Sequence, residues 1–295
     1  MIKAKGIVKN FGDFCALNGL DIKVKKGSIY GLVGPNGAGK TTIINHLMGV
    51  IRQDEGEITI DGEKVWENDS LKQKVLCIND DWYFYPSFTV KQMAAFYEDM
   101  YKNFSRERYE KLGELLKIEE NRQIRRLSKG MKKQVAFRLV LSAMPEVLIL
   151  DEPLDGLDPV MRRSTMKLVL SEVEEREMTV LVSSHNLREL EDVCDYVGIM
   201  HKGKIVIEKA LDDIKGNIHK IQVAFKGGMP EELSSKLDVL KSEVYGSVYN
   251  IIVKGENAEE IVRSYEPLIC DVIPLSLEEV FIYELGGMGY EFEII

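Results

Sequence analysis

The chain has 295 residues, 45% of them hydrophobic, which is room for one large and one small domain with a full core. Its formal net charge of −9 excludes bulk nucleic-acid binding and docking on an anionic lipid surface by charge alone. No apolar stretch approaches the ~20 residues that cross a bilayer; the longest, 135–150, is broken by Arg138, Pro145 and Glu146.

In chain order, Ile2–Val8, Leu20–Val24 and Glu57–Ile60 read as strands of an antiparallel patch. Ile29–Val33 reads as a buried strand and Thr41–Val50 as a helix. From about Thr89 the period changes. Met93, Phe96, Tyr97, Met100, Tyr101 and Phe104 fall on one helical face, which reads as core rather than as a docking surface. Helical pattern continues over 106–117 and 131–143, so a helical insertion of about 88–143 separates two strand-rich parts. A strand at 147–150, a helix at 159–176 and a strand at 179–182 follow. Gly203 then sits in a hairpin between 197–200 and 204–207. Past Gly216, strands at 218–225, 244–253 and 272–275 alternate with helices at 230–240 and 258–265. This predicts a second, β-α-β domain over 216–295, with the α/β domain occupying 1–215.

Cys15, Cys77, Cys194 and Cys270 stand alone, with no C-x-x-C pair. They read as free thiols of a reducing compartment. The N-terminal residues carry no apolar signal region, so a soluble, cytosolic chain is expected.

The chemistry starts at Gly34-Pro35-Asn36-Gly37-Ala38-Gly39-Lys40-Thr41-Thr42, which meets every fixed position of the phosphate-loop pattern. It lies between an apolar strand and a helix, the context that gives the pattern meaning. Glycines at 34, 37 and 39 permit positive φ and close approach of backbone to a ligand. Successive N–H groups then cradle an anion at the positive end of a helix dipole. Lys40 is placed to reach the β- and γ-phosphates, and the Thr41 hydroxyl to ligate Mg²⁺. Further on, the apolar strand Val147–Leu150 ends in Asp151 and Glu152. Two acids closing a strand can be no more than a solvated turn. Downstream of a phosphate loop they read as a Mg²⁺ ligand opposite Thr41 and a base that polarises water.

These motifs, in this order over residues 1 to about 210, resemble the nucleotide-binding subunits of ABC transporters. Pro153-Leu154-Asp155-Gly156-Leu157-Asp158 is similar to the family's D-loop, and His185 stands where the family has its switch histidine. Leu127-Ser128-Lys129-Gly130-Met131 stands where the family's signature is found, and Phe11 where an aromatic stacks on adenine. The wording around Met131, the Phe/Tyr-rich helix and Pro274–Phe281 look like the bacterial group with separate ATPase and membrane chains. The resemblance implies a phosphate-loop ATPase fold, with a mixed sheet, an antiparallel β subdomain, a helical subdomain and a small C-terminal α+β domain.

It further implies ATP and Mg²⁺ as cofactors. Glu152, His185 and Asp80 would be catalytic, and Thr41, Asp151 and Asp80 the metal side. His185 would act as a hydrogen-bond donor without a change of charge. Ser128 and Gly130 would grip the ATP of a second ATP-binding subunit, and Asp155 and Asp158 would belong to the D-loop. Partners would be that second subunit and a separate polytopic membrane subunit, on the inner face of the cell membrane, in an exporter. No nucleic acid is expected. The alternative is a soluble ABC ATPase, or a nucleotide-gated regulator with slow hydrolysis and no transport role.

Four positions depart from the family. Asp80 stands where Gln is usual, Lys129 and Met131 replace Gly and Gln of the signature, and Asp155 replaces a small polar residue. Lys129 is expected to point to solvent. Trp82–Tyr85, in an aromatic loop, either meet the membrane partner or pack under the helical insertion.

Overall fold

Uninterrupted apolar runs become the buried strands of a central parallel sheet, because a strand covered on both faces has no polar side to show. The structure is a computed structural model. It describes residues 1–79, 84–211, 213, 218–255, 257–276, 279–280 and 283. The chain divides into two units, Met1–Glu208 and Lys209–Ile295.

In the first unit, β1 (Ile2–Phe11) pairs antiparallel with β2 (Phe14–Val24) and with β4 (Glu55–Ile60), and β5 (Glu63–Lys64) completes that sheet. The central sheet contains β3 (Ile29–Val33), β6 (Val75–Ile78), β7 (Val147–Asp151), β8 (Thr179–Ser184), β9 (Tyr196–His201) and β10 (Lys204–Ala210). Its order is β10-β9-β3-β8-β7-β6. Every residue of β3, β7 and β8 is buried. Lys202 and Gly203, both at positive φ (44° and 76°), turn β9 into β10, as a two-residue hairpin requires.

Helix α1 (Lys40–Leu47) follows the phosphate loop, and the short α2 (Asp69–Lys72) precedes β6. The helical insertion consists of α3 (Val90–Met100), α4 (Arg106–Leu116) and α5 (Lys129–Ser142). Each begins at a side-chain cap, Thr89, Ser105 and Ser128 respectively, and Thr89 with Gln92 forms a full capping box. Helix α6 (Pro159–Arg176) starts with Asp158 as cap and Pro159 at its first position.

Several expectations need correction. α1 stops at Leu47 rather than Val50, and α3 stops at Met100, so Tyr101 caps it and Phe104 lies beyond it. Met100 is 45% exposed, so the apolar face of this helix is only partly core.

The second unit is not β-α-β. It runs β11 (Ile218–Ala224), α7 (Glu231–Lys236), β12 (Asp238–Tyr245), β13 (Val248–Lys254), α8 (Ala258–Arg263) and β14 (Ile269–Ile273). The antiparallel order β12-β13-β11-β14 is the ferredoxin-like split βαβ arrangement. The expected strand 244–253 is two strands, because Gly246 at φ 64° makes a turn inside it. The expected helix 230–240 ends at Lys236, where the chain enters β12. Ile221, Val223, Ile251, Val253, Leu233 and Val262 form that unit's own core.

Candidate active site

Three strand ends meet at one edge of the central sheet. β3, β8 and β7 are neighbours, and their registers pair Val33 with Ser184 and Ser183 with Asp151. The phosphate loop, the acid pair and His185 therefore converge outside the carboxyl ends of the strands, the usual ligand crevice of an α/β sheet.

In the loop, Gly37 (φ 80°) and Gly39 (φ 110°) hold left-handed backbone. Gly34 does not, contrary to expectation; there a Cβ would lie 2.4 Å from the carbonyl oxygen of Met200. Gly34 is thus a packing glycine. Pro35, Asn36 and Gly37 are exposed and Ala38 is buried. No side chain caps the first turn of α1, which leaves its N–H groups to an anion. Thr42 lies half-buried in that turn.

Buried Lys40 donates to the carbonyls of Gly34 (2.6 Å) and Pro35 (3.3 Å) and meets Glu152 Oε1 at 3.2 Å. The Thr41 hydroxyl donates to Asp151 Oδ2 at 2.9 Å, and Ser183 Oγ donates to Asp151 Oδ1 at 2.6 Å. Adjacent oxygens around an octahedral Mg²⁺ at 2.0–2.1 Å are about 2.9 Å apart. The Thr41 and Asp151 oxygens already have that separation, so these residues fit the ion.

Glu152 is held on every side. Its backbone lies at φ 47°, a conformation an L-residue adopts only when its surroundings impose it. Its N–H donates to Ser183 Oγ at 3.0 Å, and its carbonyl accepts from Lys133 Nζ at 3.0 Å. Glu152 Oε2 lies 3.0 Å from His185 Nδ1 and 3.3 Å from the His185 N–H. A carboxylate needs a donor, so Nδ1 carries the proton. In that tautomer the ring donates from Nδ1 and Nε2 is an acceptor. Asp155 joins this group: one ligand atom each of Glu152, Asp155 and His185 lie within 4.8 Å of one another.

The other expected residues are distributed around this centre. Phe11 ends β1, 47% exposed. Lys9 Nζ is 5.6 Å from its ring centroid, and Asp54 holds both Lys9 Nζ (2.8 Å) and the Asn10 N–H (2.7 Å). The Lys9 hydrogen bond keeps the Asp54 carboxyl below its ordinary pKa. Ser128 is exposed and accepts from the Met131 N–H at 3.3 Å as cap of α5; Lys129 is exposed and Gly130 half-buried. Asp158 Oδ1 accepts from the N–H groups of Val160 and Met161, both at 3.0 Å, so within this chain it is a helix cap. Asp80, Trp82 and Tyr83 lie outside the described residues. Phe84 is buried, and the Tyr85 ring packs on Phe88 and Phe96.

Sequence reasoning missed Ser183, Lys133 and Arg162. Arg162 donates from Nε to the Leu157 carbonyl at 2.9 Å and pairs with Glu189 at 2.5 Å, which also accepts from Ser184 Oγ at 3.1 Å. Its place two residues before His185, at the end of the strand beside the one that carries Asp151, was the one visible sign of Ser183.

Residues 17–155 match the ABC transporter family model. Over 289 residues the chain is 30% identical to the ABC transporter ATP-binding protein YtrB of Bacillus subtilis, covering 97% of this chain and 99% of that one. The chain belongs to the ABC transporter ATP-binding proteins. Binding and hydrolysing ATP to power transport is accordingly its activity. The bacitracin transport ATP-binding protein BcrA of Bacillus licheniformis is 36% identical, with 73% of this chain and 71% of BcrA covered. In fold, this ABC ATPase is similar to the cassette MJ0796, solved as a dimer bound to ADP and Pi, with TM-score 0.65, 23% identity, and 72% and 99% of the chains covered. Among the described residues, no helix is long and apolar enough to cross a membrane.

Proposed function

We propose that this ATPase pairs with a second ATP-binding subunit around two ATP·Mg²⁺ and drives a separate polytopic membrane protein in export. The observation that carries the reading is the Glu152 carboxylate, held between Lys40 and His185 one residue beyond Asp151. In this reading Phe11 stacks on adenine, and residues 34–42 cradle the phosphates, with Lys40 exchanging its loop carbonyls for phosphate oxygens. Thr41 and Asp151 would hold Mg²⁺, with Asp80 kept as a metal-side candidate on its place in the sequence alone; the ion when bound would neutralise phosphate charge. Glu152 takes the proton of the attacking water, and His185 fixes the carboxylate that does so. Ser128, Gly130 and the N-terminus of α5 take the γ-phosphate of the partner's nucleotide. Loss of that phosphate removes the charge both subunits grip, and the pair opens.

A cleft of about 480 Å³ supports the membrane half of the reading. Met48, Val50, Gln73, Tyr97, Met100 and Tyr101 line it, with Val50 67% and Met100 45% exposed. An open apolar cleft between the end of α1 and α3 suits a cytoplasmic helix of the membrane subunit. Export is favoured because LnrL of Bacillus subtilis, 33% identical with 70% of this chain and 68% of LnrL covered, is named for linearmycin resistance.

The test is a tagged pull-down from the native cell in mild detergent, with co-purifying chains identified by mass spectrometry. A polytopic membrane protein at near-stoichiometric level is the expected result. Recovery of soluble partners alone would remove the membrane partner and leave the ATPase.

A further inference from the structure

We infer that Lys133 is a positioning residue for the reaction, one that ties the helix carrying Ser128 to the backbone of Glu152. The inference rests on the catalytic reading of Glu152 and goes beyond it. Lys133 lies in α5, one helical turn after Lys129, where α5 begins. It is 3% exposed, yet it carries an ammonium group. Such a group is buried only when its N–H donors are engaged. Two of these bonds are to backbone: the Glu152 carbonyl at 3.0 Å and the Asp155 carbonyl at 2.7 Å.

These carbonyls bracket the turn that Glu152 enters at φ 47°. The bonds therefore hold a backbone conformation that an isolated Glu would leave. The carboxylate on that backbone meets Lys40 and His185 at 3.2 and 3.0 Å, so rotating the turn would move the carboxylate away from both. From the next helix Arg162 holds the Leu157 carbonyl at 2.9 Å. Leu154, Leu157 and Met166 pack together beneath. The turn is thus anchored on its far side by Arg162; on its near side Ser183 holds the Glu152 N–H, the Asp155 N–H reaches the Glu152 carbonyl at 3.4 Å, and Lys133 is the group that joins both bracketing carbonyls to α5.

α5 is a continuous helix of 14 residues, and its N-terminus is the surface assigned above to the partner's nucleotide. Any shift or tilt of that end is carried to Lys133 within one turn, and by Lys133 to Glu152. Seating of α5 on the nucleotide of one site is in this way coupled to the base of the other.

The experiment measures ATPase kinetics, nucleotide affinity by titration of a fluorescent ATP analogue, and melting temperature for the full-length chain. The variants are Lys133→Met, Lys133→Arg, Lys133→Gln and, in parallel, Glu152→Gln. Lys133→Met is expected to lower kcat by ~10²-fold, the usual cost of a displaced catalytic group. Nucleotide affinity per folded chain stays within about twofold, the split expected when only the chemical step is touched. The Hill coefficient for ATP should fall towards one. Lys133→Arg, which keeps charge and donors, should recover most of kcat. Lys133→Gln, a neutral donor, should fall between them and stands in if the Met variant does not fold.

Wild-type kcat in Lys133→Met or Lys133→Gln, with Glu152→Gln inactive, overturns the role of Lys133 alone. So does a parallel loss of kcat and affinity that Arg does not restore, which would mark a merely structural lysine. Wild-type turnover in Glu152→Gln would overturn the catalytic reading itself, and this inference with it.

Discussion

His185 Nδ1 and Glu152 Oε2 lie 3.0 Å apart, with the imidazole half-exposed and the carboxylate largely enclosed. The histidine therefore presents its Nδ1–H to the Glu152 carboxylate. Glu152→Gln keeps the shape but cannot accept a proton. Turnover should fall ~10²–10⁴-fold, the range of a lost general base, while an ATP-bound dimer accumulates on size-exclusion chromatography. His185→Ala leaves the carboxylate free to rotate about Lys40 and should cost ~10²-fold in kcat with little change in ATP affinity.

Lys40 touches both the loop carbonyls and the acid. Lys40→Ala removes the charge that phosphate needs and leaves Glu152 facing the phosphates without compensation. Isothermal titration calorimetry should show micromolar ATP binding abolished. Micromolar affinity in this variant would mean that the loop holds nucleotide without its lysine.

Asp158 accepts two N–H groups of the first turn of α6. Asp158→Ala should cost about 1 kcal/mol, as a lost N-cap does, and lower the melting temperature by about 2–4 °C. Asp158→Asn retains the acceptor and should melt close to wild type. A fall in turnover of Asp158→Asn without a fall in melting temperature would point instead to a contact across the dimer.

His46 is 2% exposed, and its Nδ1 donates to the Thr42 carbonyl at 2.7 Å. Burial holds its pKa below the ordinary 6.5. As pH falls through about 6.5 the unfolded chain protonates this ring while the folded chain does not. The unfolded state then binds more protons, so stability falls with pH in that window, by at most about 1.4 kcal/mol per pH unit for one group. The pH dependence of urea unfolding should show this loss in the wild type. In His46→Gln the slope below pH ~6.5 should be shallower by up to one proton; an unchanged slope would remove His46 from the acid response.

Much of this protein was legible before folding was considered. The phosphate loop, the acid pair and His185 each follow an apolar strand, and local backbone chemistry gives such positions their meaning at short range. The helix starts after Thr89, Ser105 and Asp158 are equally local, because a cap bonds within its own turn, whereas the helix expected from Met131 starts at Lys129. The second unit was misread where local pattern was silent, at the Gly246 turn and at the early end of the helix after Pro230.

What only the tertiary structure decided is the set of long-range partners around Glu152. Strand order placed Ser183 against Asp151. Packing of α5 against the turn after β7 placed Lys133, 19 residues upstream, on the Glu152 carbonyl. The positive φ of Glu152 and the Met200 carbonyl that makes residue 34 a glycine belong to the same class. Each depends on atoms brought together by sheet register and helix packing. Sequence motifs name the groups that do chemistry because those groups must be of one kind; the groups that hold them in place are set by which surfaces meet.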